Sequence, residues 1–266
     1  IKFIYIYADW FLSYQNKKNF FFYFFNTKIF KIIEYLIYKN TNNLIFYSDG
    51  ILNNYKNYYL KKNNINKNYI CLNFVDHLSY KNYRKINNIK PDLDIIKFFF
   101  IGNLRDDVDL IKFIKYLDNS KLYNFTVDIV GSGELKEELN DLRFQLNQNN
   151  NIFIHDFIHD FRIISEIAEN CHFGLALNKY LSHSSYTFSG KINTYFNHKL
   201  PIIYSSNLIY VKKYINIFKL GIEFNCDKDV DVFLKDILNV YNLLVQNISS
   251  LNSKINDKID SKFIKL

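Results

Sequence analysis

The sequence predicts an α/β fold built on a parallel sheet wound on both faces, and three observations carry that expectation. From residue 97 onward, short apolar runs alternate with amphipathic segments of roughly ten residues, the order of strands and crossover helices. The runs are continuously apolar rather than alternating, as strands buried on both faces require. Glycine is scarce, with seven in 266 residues, yet Gly102, Gly131 and Gly133 fall where those runs end, so each marks a backbone position that needs it.

Taken in order, residues 97–101 form a strand closed by Gly102, and 108–117 form a helix with Leu110, Ile111, Ile114 and Leu117 at helical spacing. A strand at 125–130 ends at Gly131, and 134–146 sets Leu135, Leu139, Leu142 and Leu146 on one side of a helix. A strand at 152–155, a helix around 163–168 and a strand at 173–177 continue the alternation. A polar loop fills 178–189, a helix runs over 190–197, and Pro201 opens a strand that reaches Tyr204. A helix at 208–215, a short strand at 221–224 and a strong helix at 230–245 follow. Such alternation implies right-handed crossovers and ligand binding at the carboxyl ends of the strands.

The earlier part of the chain has the same character in incomplete form, with strands at 2–7, 43–47 and 69–74 and a helix at 29–38. Residues 79–91 are polar and basic and end on the turn signal Pro91-Asp92, which makes them the interdomain linker. The expected organisation is a partial N-terminal α/β domain at 1–92, a C-terminal ligand-binding domain at 93–246, and a polar tail at 247–266 that is compatible with helix. The chain opens at Ile1, already within a strand pattern, and contains no Met, so a preceding segment is expected.

The net charge of +8 suits a polyanionic partner, although the enrichment in Lys, Asn, Ile, Tyr and Phe that accompanies an AT-biased coding sequence gives the same excess. Cys71, Cys171 and Cys226 lie far apart without paired spacing, against a disulfide framework or zinc site and for a reducing compartment. No apolar run reaches the ~18 residues of a membrane span. Asp107 and Asp109 come nearest to a metal-clamping carboxylate pair, but they are placed in the first turn of a helix, where the dipole favours them, so no metal is expected.

Two segments carry candidate chemistry. Val130-Gly131-Ser132-Gly133-Glu134 leaves a strand and opens a helix, where small residues and the partial positive charge of a helix start suit a phosphate or sugar. A dinucleotide fingerprint would place a third Gly at the position of Lys136, which disfavours a nicotinamide-dependent oxidoreductase even with Asp156 near the distance of a ribose-binding acid. Ser189-Gly190-Lys191 begins the helix before Pro201. A cation at a helix start is opposed by the dipole, so Lys191 there points to an anion.

The run from Phe188 through Ser189, Gly190, Lys191, Ile192, Asn193, Thr194 and Tyr195 to Phe196, followed by Lys199-Leu200-Pro201-Ile202-Ile203, resembles a segment of the family 4 glycosyltransferases of GT-B fold. Phe100-Ile101-Gly102-Asn103-Leu104, Ile129-Val130-Gly131-Ser132-Gly133, Glu166 through Leu175, and Leu220-Gly221 stand in the order that the family shows. The resemblance implies two Rossmann-like domains, the C-terminal one binding a nucleotide-diphosphate-sugar donor and the N-terminal one a saccharide or lipid-linked acceptor. It implies metal-independent, retaining transfer in the cytoplasm, compatible with peripheral membrane contact, with no nucleic-acid partner and no cofactor besides the nucleotide-sugar substrate. Lys191 and Arg105 become the catalytic cations, and Gly102, Asn103, Gly131, Ser132, Gly133, Ser189, Gly190 and Thr194 the donor-binding positions. The pattern also departs from the family: Asn103 stands at its Arg, Val108 or Asp109 at its Lys, Thr194 at its second Glu and Ser189 at its Pro. Arg105 is assigned the role of the missing Arg by reaching back. The departures keep a non-catalytic nucleotide-sugar-binding module as the rival reading.

Overall fold

The computed structural model describes residues 4–7, 32, 36, 39–41, 43–46, 52, 68–71, 95–147, 150–179 and 189–262. They fall into two compact units. The first holds three short strands, β1 (Ile4–Tyr7), β2 (Asn43–Phe46) and β3 (Asn68–Cys71), hydrogen-bonded in that order as a parallel sheet. Leu44, Phe46 and Leu52 are buried there. Ile32, Leu36, Lys39 and Asn40 are helical, and Asn40 Nδ2 donates to the Leu36 carbonyl at 2.8 Å. The expected linker lies outside the described residues.

The second unit alternates strand and helix throughout. Its elements are β4 (Ile95–Ile101), α1 (Leu110–Leu117), β5 (Asn124–Val130), α2 (Lys136–Arg143), β6 (Asn151–His155), α3 (Phe161–Glu169) and β7 (Phe173–Ala176). There follow α4 (Gly190–Asn197), β8 (Ile202–Ser205), α5 (Ile209–Phe218), β9 (Gly221–Phe224) and α6 (Val230–Lys262). The six strands are all parallel in the order β6-β5-β4-β7-β8-β9. The sheet thus grows outward from β4 to one side and then, from β7, to the other. The reversal leaves a crevice at the carboxyl ends of β4 and β7.

Both faces of the sheet are covered, which is why its strands read as unbroken apolar runs. Ile96, Phe98 and Phe100 of β4 share one face with Phe125, Val127 and Ile129 of β5, in a core that includes Leu110, Phe113 and Leu117 of α1, Leu139 of α2 and Phe233, Leu234 and Ile237 of α6. Each such side chain contributes roughly 1.5–3 kcal/mol by leaving water. Phe99 points the other way and meets Tyr195 of α4 edge-on at 6.0 Å.

Several boundaries differ from expectation for local reasons. α1 begins at Leu110, because Arg105 to Asp109 are drawn into polar contacts of their own. α2 begins at Lys136, since the Glu134 carboxylate accepts the amide of Asp106 at 2.7 Å. α6 is continuous from Val230 to Lys262, so residues 247–262 of the polar tail are helical. No Gly or Pro interrupts that segment, and Leu244, Ile248 and Leu251 continue the buried seam begun by Phe233, Ile237 and Tyr241.

Two helices end in an unusual way. After α4, Lys199 has φ 55°, with its amide on the Phe196 carbonyl at 3.0 Å and that of Leu200 on Tyr195 at 2.9 Å. After α5, Lys219 has φ 51°, and the Leu220 amide reaches the Ile215 carbonyl at 3.0 Å. This cap geometry favours Gly, because an L side chain in the left-handed region costs about 1–2 kcal/mol. Lys219 is exposed, and its carbonyl accepts from Asn247 Nδ2 at 2.9 Å. Lys219→Gly should therefore raise stability by ~0.5–1 kcal/mol after the entropy of Gly in the unfolded chain is charged. Urea unfolding checks this, and an unchanged or lowered midpoint would refute the strain.

Candidate functional site

The crevice between β4 and β7 is organised by one side chain. β4 and β7 are paired at Phe98 with Phe173 and Phe99 with Gly174, beyond which they part. Tyr195 fills the gap. Its hydroxyl donates to the Leu175 carbonyl at 2.7 Å and accepts the Ile101 amide at 3.4 Å. Its ring lies against Gly174, where a Cβ would come within 2.4 Å of it. Burial pushes the phenol well above its ordinary range, so it stays a neutral structural group.

Lys191 stands one helical turn before Tyr195 and is carried to the same side of α4. Its Cε lies 3.6 Å and its Nζ 3.8 Å from the position a Cβ would take on Gly102. The ammonium reaches past the end of β4 to 4.6 Å from the centre of the Phe100 ring, a cation–π contact. Any side chain on Gly102 longer than a methyl would obstruct that path, and φ 141° already disfavours one. Burial pushes the Lys191 ammonium down to about 8, opposed by Asp107 and reinforced by Arg105. Lys191 as a residue is half-buried, so the packing acts on the amine while the side chain keeps some contact with solvent.

The loops after β4 and β5 extend the sheet's pairing beyond its strands. Gly102 donates to the Val130 carbonyl at 3.0 Å, Leu104 to Ser132 at 2.9 Å, and Leu135 to Leu104 at 3.0 Å. At Gly131 a Cβ would stand 2.0 Å from the Gly102 carbonyl oxygen, and at Gly133 one would stand 2.4 Å from that of Leu104. These two glycines let two backbones close on each other, a different reason from the ligand approach that the sequence suggested. Gly131 is buried; Asn103, Ser132 and Gly133 are exposed.

Arg105 and Asp107 form a two-pronged pair, Nε to Oδ1 at 3.1 Å and Nη2 to Oδ2 at 2.8 Å. The Asp107 carbonyl accepts the Lys179 amide at 2.8 Å, and the Asp109 amide approaches the Leu177 carbonyl at 3.4 Å, which ties this loop to the end of β7. The expectation that Asp107 and Asp109 occupy a first helical turn is corrected here. Asp107 precedes α1 and serves Arg105, and Asp109, at the cap position, makes no side-chain cap. Burial raises the Asp109 carboxyl, with Lys112 and Lys179 pulling it back.

On α4, Ser189 takes the extended cap conformation, Gly190 is exposed with no heavy atom within 4 Å of a would-be Cβ, and Thr194 is half-buried. Asp156, weighed as a ribose acid, is exposed and paired with Lys136. On β5, Asp128 meets His155 Nε2 at 3.0 Å and Cys171 Sγ at 3.7 Å, but burial pushes that thiol well up, so it is no nucleophile. Among the described residues no group of three or more His, Cys, Asp or Glu is placed to hold a metal ion. The polar side chains of His183, Ser184 and Ser185 in the loop before α4, and Asp9 and Trp10, which are candidates for sugar, phosphate or acceptor contact by sequence, lie outside the described residues. In the sequence Gly174 and Tyr195 carry no individual role, and Asp107 reads as a helix-start acid rather than as the partner of Arg105. A Gly inside a strand was the signal for the first two, since it marks close approach by another group.

The site-bearing sheet, with its order reversal and its helix-borne lysine, has the Rossmann-like architecture of the GT-B glycosyltransferase fold. No protein-family model matches the chain, and no curated protein matches it in sequence. Among solved structures it is similar to the lipopolysaccharide outer core galactosyltransferase WaaB in its apo form, with TM-score 0.52 and 13% identity over 93% of this chain and 82% of that one. It is similar to a mutant of S. aureus TarM in complex with fondaparinux, α-GlcNAc-glycerol and UDP, with TM-score 0.56 and 14% identity over 97% of this chain and 47% of that one. The pneumococcal O-GlcNAc transferase GtfA in complex with UDP and GlcNAc gives TM-score 0.58 and 12% identity over 89% and 47%. The chain spans a little under half the length of these last two, and at such identities the likeness is one of fold.

Two outcomes follow from this geometry. Tyr195→Phe leaves a buried amide and carbonyl short of a partner and should cost about 1–3 kcal/mol in denaturant unfolding; a loss near zero would remove Tyr195 as the bridge. Lys191 binds its proton more weakly folded than unfolded, so between about 8 and its ordinary 10.5 the unfolded chain holds more protons and stability rises with pH. Subtracting the profile of Lys191→Met from that of the parent should isolate that rise, and parallel profiles would show an unperturbed lysine.

Proposed function

We propose that this chain is a glycosyltransferase of the family 4 kind that moves a sugar from a nucleotide-diphosphate-sugar donor to a saccharide or lipid-linked acceptor. The observation that carries this reading is the lodging of Lys191 over Gly102, where β4 and β7 part. That is where parallel α/β sheets take phosphate-bearing ligands. A lysine whose charge is disfavoured by burial gains much from a bound anion. As the bond from sugar to phosphate breaks, charge builds on the departing diphosphate, and Lys191 with the first-turn amides of α4 stabilises it. Thr194, three residues along α4, offers a hydroxyl to the donor.

On this reading the protein's own cations replace a divalent metal, the reaction retains configuration as the family resemblance implies, and the unit holding β1 to β3 serves the acceptor. Work in the cytoplasm, at a membrane face, belongs to the same proposal. No helix among the described residues is long and apolar enough to cross a membrane. The complexes of TarM and GtfA contain UDP, which makes UDP-sugars the first donors to test.

Calorimetry with UDP-, GDP- and CMP-sugars tests the site. Loss of one charge-assisted contact corresponds to a roughly ten- to hundred-fold weaker donor for Lys191→Ala, with a melting temperature unchanged or slightly raised because a cation has left a helix start. Donor binding at about pH 8.5 should take up a proton, seen as a dependence of the binding enthalpy on the buffer, and Lys191→Ala should lose it. Excess chelator should leave binding intact. If Lys191→Ala binds every donor as tightly as the parent does, the donor-site assignment is wrong.

A further inference from the structure

We propose that Asp107 is a resident anion of the phosphate site, which holds Arg105 until a nucleotide diphosphate displaces it, and so sets donor affinity. This rests on the placement of the donor phosphates at Lys191. The pair is asymmetric: the Arg105 side chain is 46% exposed and that of Asp107 only 10%, so incoming phosphate reaches the guanidinium and not the carboxylate. Asp107 is fixed by its own backbone, whose carbonyl accepts the Lys179 amide at 2.8 Å, while Arg105 is held through its side chain by the two-pronged contact. The planar guanidinium presents the same fork of donors to a carboxylate and to a phosphate. Exchange of one for the other therefore needs a turn of the Arg105 side chain and no change in the fold.

The loop carrying Arg105 and Asp107 leaves β4 directly after Gly102, against which Lys191 lodges, and the Asp109 amide ties it to the Leu177 carbonyl at the end of β7. The three groups therefore share one crevice, where Asp107 favours the Lys191 charge and Arg105 opposes it. Two cations and one fixed anion give that neighbourhood a net charge of one rather than two. A diphosphate entering it meets Lys191 directly, must win Arg105 from Asp107, and is repelled by the carboxylate left behind. The same terms assist departure of the nucleoside diphosphate after transfer. Asp107 thereby gives up affinity for both donor and leaving nucleotide.

The test uses the full chain and UDP, UMP and uridine in calorimetry. Asp107→Asn, which keeps shape and removes charge, should bind UDP roughly 3- to 10-fold more tightly, UMP with a smaller gain and uridine with none. In the Arg105→Ala background the gain should shrink to the part due to repulsion alone. Asp107→Ser provides the same comparison if the Asn variant melts early. The proposal is overturned if neither variant tightens UDP while Lys191→Ala still loses it, or if uridine gains as much as UDP. Lys191→Ala binding UDP as tightly as the parent would overturn the phosphate site and this role with it.

Discussion

Where β4 and β7 separate, a sheet that has been satisfying its own backbone runs out of partners, and the Tyr195 hydroxyl takes over between Ile101 and Leu175. That contact requires Gly174, because only a residue without a side chain lets the ring reach the strand. It also fixes the azimuth and depth of α4, and Lys191 follows one turn away. The position of the cation at the crevice is thus a consequence of packing on the opposite side of a glycine in the middle of a strand. The placement of Lys191 at the crevice inherits its precision from a neutral, buried contact.

The large features were legible because they are periodic. The strands stood out as unbroken apolar runs recurring between helices, and Leu110, Ile111, Ile114 and Leu117 recur at helical spacing, so element type followed from the apolar pattern. Of the residues singled out from the sequence, Lys191 and Gly102 are brought together, and Arg105 stands in the loop that follows Gly102. Its partner was not legible. Nothing in the spacing of Arg105 and Asp107 distinguishes an ion pair inside a loop from two acids opening a helix, since both leave Asp107 two residues after Arg105. The use of Gly131 and Gly133 was similarly hidden, because sequence marks a close approach without naming what approaches.

The unit has two unlike faces. Beneath α1, α2 and α6 the sheet is aromatic and aliphatic throughout, whereas the other face admits Asp128 with His155 and Cys171 and, at its edge, the polar loop contacts around Asp107. Such groups are tolerated where each finds a partner and are costly where one does not. The dry face carries the weight of stability, and that leaves the carboxyl ends of the strands free to hold charged groups in opposition to one another.

The two lysines in left-handed helix caps bear on how the composition of this chain has been spent. A coding sequence biased toward Lys and Asn is under pressure at every glycine, and a cap is a place where giving way costs only about 1–2 kcal/mol. At Gly131 or Gly174 the alternative is a collision of 2.0–2.4 Å with backbone or ring, which no local adjustment absorbs. The glycines that remain therefore act as a record of steric necessity, sorted by what the fold could not yield. Gly190 stands apart in that record, since among the described glycines it alone has neither a left-handed backbone nor a neighbour within 4 Å of a would-be Cβ. Neither backbone conformation nor packing among the described residues accounts for a glycine at that position.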